Sequence, residues 1–241
     1  CRPAHYAQKL CLRKFSSPCD WMMKYSLKDF IQILSTEGKL MFKNAKYDEA
    51  NKWVCDNDNG MISMHDFNCN QPLEEQLSAF YKKMERRTKN TIKQISQSHR
   101  VGIIMNRKIE KEELIDFANS MQLLFPDCYF HIVNVNDMPY QKLLKTEYII
   151  KAEKYTITEI SFNDAHENGR DKQNNPSFWL GNVRVWEKIM FNKKALDLLK
   201  TYLFIDKNIA LASPNIIYSR EINNLQTQYG NQYNYITSQL Q

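Results

Sequence analysis

Apolar residues recur every three or four positions along several stretches of the chain. Residues with this spacing lie on one face of a helix, because a helix completes a turn about every 3.6 residues. Pro3 suits a first helical turn, and Gly38 and Pro126 stand where two of the helices are predicted to end. The predicted helices cover residues 3–11, 27–34, 72–95, 114–124, 183–191 and 195–203.

Shorter apolar runs lie between these helices and predict strands. The first run follows the turn residues Asn57-Asp58-Asn59-Gly60. The predicted strands cover residues 61–67, 101–105 and 128–135, with one or two more within 148–162. The alternation of helices and strands is typical of an α/β fold. It predicts a three-layer sandwich with a central, mainly parallel sheet flanked by helices.

The chain has 241 residues, a length that favours a single domain. We expect this α/β domain to cover residues 1–212. Residues 213–241 are rich in Asn, Gln and Tyr and poor in aliphatic residues, which predicts a loosely held polar tail.

The net charge of +6 raises the question of a nucleic-acid partner. Basic and acidic residues are interspersed, as in Glu110-Lys111-Glu112-Glu113, and form no long basic block, so we predict no nucleic-acid partner. The chain has 6 glycines and lacks the GxGxxG and GxxxxGK[ST] motifs. This argues against a bound nucleotide, and no cofactor is predicted.

The 6 cysteines include no CxxC pair, and the chain is far longer than a small disulfide-stapled scaffold. We therefore expect reduced thiols and a cytoplasmic location. No apolar run approaches the ~20 residues that span a bilayer, and no signal-peptide pattern is visible, which predicts a soluble protein without a membrane span. The oligomeric state has no signature in the sequence.

Cys1 stands directly before a predicted helix whose start is marked by Pro3. Unpaired N–H groups and the helix dipole at such an end favour the thiolate, which is the nucleophilic form of cysteine. The same N–H groups would stabilise an oxyanion beside the sulfur. Cys1 is therefore the candidate nucleophile, and a buried structural thiol is the alternative.

His65 lies near the end of the predicted strand 61–67. Open α/β sheets place their sites at the carboxyl ends of strands, where a neutral imidazole can accept the proton of a thiol. His65 is therefore the candidate base, and an ordinary hydrogen-bonded histidine is the alternative. Asp66 is the adjacent carboxylate that would orient it, although neighbours on a strand point to opposite faces.

A zinc site is an alternative use of the same residues. Cys1 and His5 stand four residues apart, as do His65 and Cys69, so four zinc ligands can be drawn. Neither spacing matches a known zinc finger, and His65 is predicted in a strand rather than a helix. No metal is therefore predicted.

The candidate substrate-binding residues are Asp20, Trp21, Trp179 and Trp186. Tryptophans beside a site commonly form its apolar wall, and here they could equally belong to the core. With scattered cationic residues, they predict a compact, partly apolar pocket for a small acyl, peptide or glycan substrate.

Several motifs resemble a bacterial and viral family described as papain-like cysteine peptidases of unknown function. Its most specific feature in this chain is a Ser-x-Pro-x-Asp-Trp loop followed by a His-Asp strand. The matching stretches are Cys1-Arg2-Pro3-Ala4, residues 12–21, residues 62–67, Arg86-Arg87 and residues 179–186. The family usually has Phe in place of Cys19 and a strand ending in Gly ahead of Cys1, so we expect that strand to be missing here.

The resemblance implies a cysteine hydrolase in which Cys1 is the nucleophile, His65 the base and Asn182 the orienting residue, in the papain chain order. The predicted alternation of strands and helices differs from papain's architecture and is closer to hydrolases and acyltransferases with a flavodoxin-like sheet. A thiol-dependent acyltransferase in polysaccharide modification is therefore the second hypothesis. A non-catalytic module that binds a glycan or a protein is the third, since a fold alone does not decide function.

Overall fold

The structure, a computed structural model, describes residues 2–9, 16–171, 173–191, 209–213 and 215–218. Within these ranges the chain is an α/β mixture with two sheets. The helices are α1 Arg2–Lys9, α2 Leu27–Ser35, α3 Leu73–Ser96, α4 Lys111–Leu124 and α5 Val183–Phe191, with a 3₁₀ turn at Phe178–Leu180. The strands are β1 Met22–Lys24, β2 Ala45–Asp48, β3 Trp53–Asp56, β4 Ile62–Ser63, β5 Arg100–Asn106, β6 Tyr129–Asp137, β7 Lys145–Lys151, β8 Tyr155–Phe162, β9 Ile209–Ser213 and β10 Asn215–Tyr218.

The larger sheet has the strand order β10-β9-β5-β6-β8-β7. Strand β5 pairs in parallel with β9 and with β6, and β6 pairs in parallel with β8. The outer strands β10 and β7 pair antiparallel with their neighbours. The sheet is therefore mixed, with four adjacent parallel strands between two antiparallel edges.

Alternate side chains of the larger sheet enter two different apolar clusters. Val101 and Ile103 of β5 belong to a cluster that includes Phe30 of α2 and Phe117 of α4. Ile104, which points to the other face, belongs to a cluster that includes residues of α1 and α5. Burying both faces explains why the central strand β5 reads as a nearly continuous apolar run.

Helix α2 has clear signals at both ends. Ser26 accepts a hydrogen bond from the Asp29 N–H at 3.0 Å, and the Asp29 carboxylate accepts one from the Ser26 N–H at 2.6 Å. This reciprocal capping box satisfies N–H groups that the first turn leaves unpaired. At the other end, Gly38 has φ +83° and its N–H bonds to the Ile33 carbonyl at 2.8 Å, as predicted for a helix closed by glycine.

The smaller sheet corrects the prediction for residues 61–67. All its pairs are antiparallel, in the order β1-β4-β3-β2, and β4 covers Ile62 and Ser63 alone. The Ser63 hydroxyl donates to Asp66 at 2.6 Å, and this local bond turns the chain away from the extended conformation. His65 consequently lies in a bend after the strand, and this segment belongs to the antiparallel sheet instead of the parallel one.

The remaining helix and strand predictions agree with the structure in the described ranges, with small differences at the ends. The predicted helix 195–203 lies outside the described residues, as do most residues of the predicted polar tail. The tail residues that are described lie in strands: Ser213 ends β9, and Asn215–Tyr218 form β10. In the part of the chain that is described, no helix is long and apolar enough to cross a membrane.

Candidate functional site

Polar residues stand where three parallel strands of the larger sheet end. Asn106 is the last residue of β5, Asp137 is the last residue of β6, and Asn163 and Asp164 directly follow β8. Because carboxyl ends of parallel strands lie at one edge of a sheet, these side chains are neighbours. We call this the carboxyl edge.

Asp164 is the centre of the carboxyl edge. Its side chain is 0 % exposed and forms an ion pair with Arg2 Nη1. Three further groups donate to it: Asn106 Nδ2 at 2.7 Å, the Asn182 N–H at 2.9 Å and Trp186 Nε1 at 2.9 Å. A buried carboxylate is stable when charge and hydrogen bonds both compensate for lost water, and Asp164 has both.

Arg2 connects this carboxylate to the start of α1. Its Nε donates to the Trp179 carbonyl at 2.7 Å while Nη1 pairs with Asp164. The first turn of α1 is therefore held at the carboxyl edge. The guanidinium remains partly accessible, with a side chain 22 % exposed.

Further contacts hold α1 against the segment that leads into α5. The Tyr6 hydroxyl donates to the Leu180 carbonyl at 3.0 Å, and the Tyr6 ring stacks on Trp186 with centroids 5.6 Å apart. His5 meets Trp179 edge to face at 5.0 Å, and burial lowers the pKa of His5, with a smaller effect from Lys9. Of the two late tryptophans, Trp186 is fully buried within this packing and Trp179 is half-buried.

The loop that carries Asp20 and Trp21 lies beside the residue that follows Asn106. Arg107 donates to the Tyr25 carbonyl at 2.7 Å, and its guanidinium carbon is 4.1 Å from the centre of the Tyr25 ring. Burial raises the pKa of Cys19 far above its usual range, and the charges of Arg107 and Asp20 both act on this thiol. Asp20 is fully buried and accepts from the Ser17 hydroxyl at 2.5 Å. The loop and the end of β5 are therefore in proximity.

The register of the smaller sheet relates His65 to the same loop. Met22 of β1 pairs with Ser63 of β4, and the two strands are antiparallel. Trp21, just before Met22, and His65, two residues after Ser63, therefore leave the pair at the same end. The His65 side chain is exposed. No hydrogen bond or ion pair within the described ranges joins it to the Asp164 cluster.

The two candidate orienting residues are engaged in other contacts. Asp66 accepts from the Ser63 hydroxyl and from Lys83 Nζ, each at 2.6 Å. Asn182 caps α5: its Oδ1 accepts from the Val185 N–H and its Nδ2 donates to the Asn163 carbonyl, both at 3.2 Å. Cys1, the candidate nucleophile, lies outside the described residues.

The structure describes three of the four residues that the zinc alternative would use as ligands. His5 packs against Trp179 on α1, His65 is exposed in the bend after β4, and Cys69 is an exposed free thiol. Among the described residues, no group of three or more His, Cys, Asp or Glu side chains is arranged to hold a metal ion.

The central residues of the carboxyl edge, Arg2, Asn106 and Asp164, are absent from the predicted site. One signal in the sequence points to two of them: a polar residue follows the predicted strand 101–105, and two follow the predicted strand region 148–162. In a parallel sheet these positions meet at one edge. Arg2 has no comparable signal, because its partner lies 162 residues away along the chain.

Comparisons with protein-family models, with curated proteins and with solved structures found no match to this chain. The resemblance to papain-like cysteine peptidases therefore rests on the motifs quoted above. Function has to be inferred from the chemistry of the carboxyl edge and of the residues near it.

Proposed function

We propose that this chain is a cysteine-dependent hydrolase that acts on a carbonyl group, with Cys1 as the nucleophile and His65 as the base. The observation that carries the proposal is the position of the first turn of α1. Arg2, the residue after Cys1, is bound to Asp164 and to the Trp179 carbonyl at the carboxyl edge. Sites of α/β sheets lie at this edge, and a helix start favours a thiolate.

The proposed reaction follows the general scheme of thiol hydrolases. The His65 imidazole takes the proton of the Cys1 thiol, and the thiolate attacks the carbonyl carbon of the substrate. First-turn N–H groups of α1 stabilise the oxyanion that forms. Its collapse expels the leaving group, which takes the proton from the imidazolium. Water then hydrolyses the thioester and regenerates the thiol.

Asn182 and Asp66 are the two candidates for a residue that orients His65. Both Asp66 oxygens already accept bonds from Ser63 and Lys83, and the Asn182 amide caps α5. These contacts favour Cys1 and His65 acting as a dyad. The asparagine and aspartate would then support the local structure on either side.

We propose Asp20, Trp21, Trp179 and Trp186 as the residues around the substrate. Half-buried Trp179 lies in the 3₁₀ turn and contacts Arg2 and His5 of α1, which supports an apolar wall beside that helix. Asp20 and Trp186 are fully buried, so their part would be to hold the wall. The proposed substrate is a small acyl, peptide or glycan-linked group.

The outer strand β7 favours a small acyl substrate over an extended peptide. A peptide would be bound by pairing with an open sheet edge. The register of β7 shifts between Thr146 and Tyr148, and lysines stand at both of its ends. Bulges and charged residues discourage strand addition, so this edge suits peptide binding poorly. The thiol acyltransferase is therefore the second candidate function.

For the fold, we propose the three-layer sandwich with a central, mainly parallel sheet. Support comes from the two apolar clusters, one with α2 and α4 and the other with α1 and α5. We also propose a cytoplasmic location, which the free thiols of Cys19, Cys55, Cys69 and Cys128 support.

The experiment is to incubate the protein separately with a peptide library and with acetyl-coenzyme A, then search for an acyl adduct on Cys1 by mass spectrometry. An adduct from peptides supports the hydrolase, and one from acetyl-coenzyme A alone favours the acyltransferase. Cys1→Ser is the control that must abolish either adduct. No adduct from either donor would contradict thiol catalysis and favour a binding module.

A further inference from the structure

A single buried carboxylate connects four separate parts of the chain at the proposed site. Asp164 receives Arg2 from α1, Asn106 from β5, and two donors from the start of α5. Its own N–H donates to Asp137 at 2.9 Å, so the carboxyl end of β6 is joined to the same point. Movement of any of these segments would break a bond to a group that water does not reach.

The space between Asp164 and Gly181 is tightly packed. Gly181 has φ +68° and directly precedes the Asn182 that caps α5. A Cβ atom at Gly181 would overlap Asp164 Oδ1 and would lie 2.8 Å from Cζ and Nε of Arg2. A side chain at position 181 would therefore have to displace the Arg2–Asp164 pair.

Two of these bonds bear directly on α1. Through Arg2, Asp164 sets where the first turn of α1 lies, and through Asn106 it sets this turn relative to the end of β5. First-turn N–H groups are the ones that no carbonyl within the helix satisfies. In the proposed reaction these N–H groups face the developing oxyanion. A small displacement of the first turn would weaken their hydrogen bonds to the oxyanion, because such donors act at short range.

We propose that Asp164 is a positioning residue for the acylation of Cys1, acting through Arg2 on the first turn of α1. The inference rests on the proposed function. Asp164 touches neither thiol nor substrate in this role. It keeps the N–H groups of α1 in the place where the carbonyl oxygen of the substrate becomes negative.

Two reactions of the Cys1 thiol distinguish a positioning role of Asp164 from a general effect of Asp164 on the stability of the fold. Alkylation by iodoacetamide displaces iodide from a saturated carbon and forms no oxyanion. Acylation by p-nitrophenyl acetate forms the acetyl thioester and releases p-nitrophenolate through an oxyanion. Loss of well-placed donors therefore slows acylation more than alkylation, whereas loss of folded protein lowers both equally.

The experiment measures both rate constants at Cys1 for the full chain and its variants, at one pH and below the unfolding temperature. Asp164→Asn keeps the shape but replaces one accepting oxygen by a donor, and Arg2→Lys removes the guanidinium that bonds both Asp164 and Trp179. Asp171→Asn is the matched control. Asp171 lies in the same connecting segment, and its carboxylate accepts from Gln173 and Asn174.

We expect Asp164→Asn and Arg2→Lys each to lower the ratio of acylation to alkylation by about tenfold or more. The double variant should fall little further than the slower single variant, because both changes break the Arg2–Asp164 contact. Asp171→Asn should keep the wild-type ratio.

A wild-type ratio in Asp164→Asn would overturn the inference and leave the proposed function standing. If that variant does not fold, Arg2→Lys decides alone, and a wild-type ratio there has the same meaning. A wild-type protein that is alkylated at Cys1 but never acylated would contradict the proposed function itself, and the inference would fall with it.

Discussion

Among single residues, buried His131 is one whose environment predicts a stability that depends on pH. It lies in β6 between Gly102 of β5 and Thr156 of β8 and is 4 % exposed. Burial lowers its pKa to about 4 from the ordinary 6.5, because the interior disfavours the charged ring. The folded protein therefore holds His131 neutral at pH values where the unfolded chain would bind a proton.

This difference predicts a loss of stability on acidification. Above pH 6.5 both states are neutral and the full stability is present; as pH falls from 6.5 to 4, the unfolded chain takes up the proton first. At about 1.4 kcal/mol per pH unit, His131 should lower the free energy of unfolding by about 3 kcal/mol across this interval. Urea denaturation at several pH values measures it.

The variants His131→Gln and His99→Gln test whether His131 causes this loss of stability. Removing the buried ring should flatten the pH dependence by about 3 kcal/mol, an order-of-magnitude value. His99→Gln, which replaces an exposed histidine outside the core, is the control variant. Identical pH profiles for His131→Gln and the wild type would contradict this interpretation of β6.

Between elements, the junction of the 3₁₀ turn with α5 is tightly packed at Gly181. Gly181 combines φ +68° with ψ −153°, a conformation that is essentially restricted to glycine. Gly169 also has positive φ, +92°, but a Cβ there would meet nothing within 4 Å. The two glycines therefore share backbone strain and differ in packing.

Gly169→Ala should cost about 1 kcal/mol, from the backbone alone. Gly181→Ala should cost about 3 kcal/mol or more, because the added methyl group must also displace the Arg2–Asp164 pair. Urea denaturation of both variants provides the comparison. Equal losses of unfolding free energy in the two variants would mean that the Arg2–Asp164 pair between α1 and α5 moves aside at little cost.

The elements themselves were largely predictable. Helices α3 and α4 and strands β5 and β6 are long enough for their periodicity to stand out, and α2 has a glycine that closes it. Strands β1, β2 and β3, of 3, 4 and 4 residues, were not predicted because so few residues show no period. Strands β9 and β10 were not predicted either, and β10 lies in the segment predicted as a loose tail. The strand predicted at 61–67 was wrong in extent, because the Ser63–Asp66 bond bends the chain in a way that apolar patterning does not encode.

The candidate site was less predictable than the fold. Motifs pointed to Cys1 and His65, whereas Asp164 was marked by its position after the predicted strand region 148–162 and by no motif. Its role depends on four donors that lie far apart in sequence, from Arg2 to Trp186. Such a cluster can be recognised when the strand order is known, because that order places the ends of β5, β6 and β8 at one edge.

For the whole molecule, we propose that the larger sheet presents a reactive thiol, that of Cys1, at its carboxyl edge. The supporting arrangement is local: α1 is held there by Arg2, and the loop of Asp20 and Trp21 lies beside Arg107. The same chain provides an internal reference, since Cys69 is an exposed free thiol.

The most direct test is the rate of iodoacetamide alkylation at Cys1 and at Cys69, followed by peptide mass spectrometry between pH 6 and pH 9. We expect Cys1 at pH 7 to react about tenfold faster than Cys69 or more, because the proposed helix start and the proposed base His65 would both favour its thiolate. His65→Ala should bring Cys1 closer to the reference. A wild-type Cys1 that reacts no faster than Cys69 at any of these pH values would contradict the claim that this chain acts through its thiol.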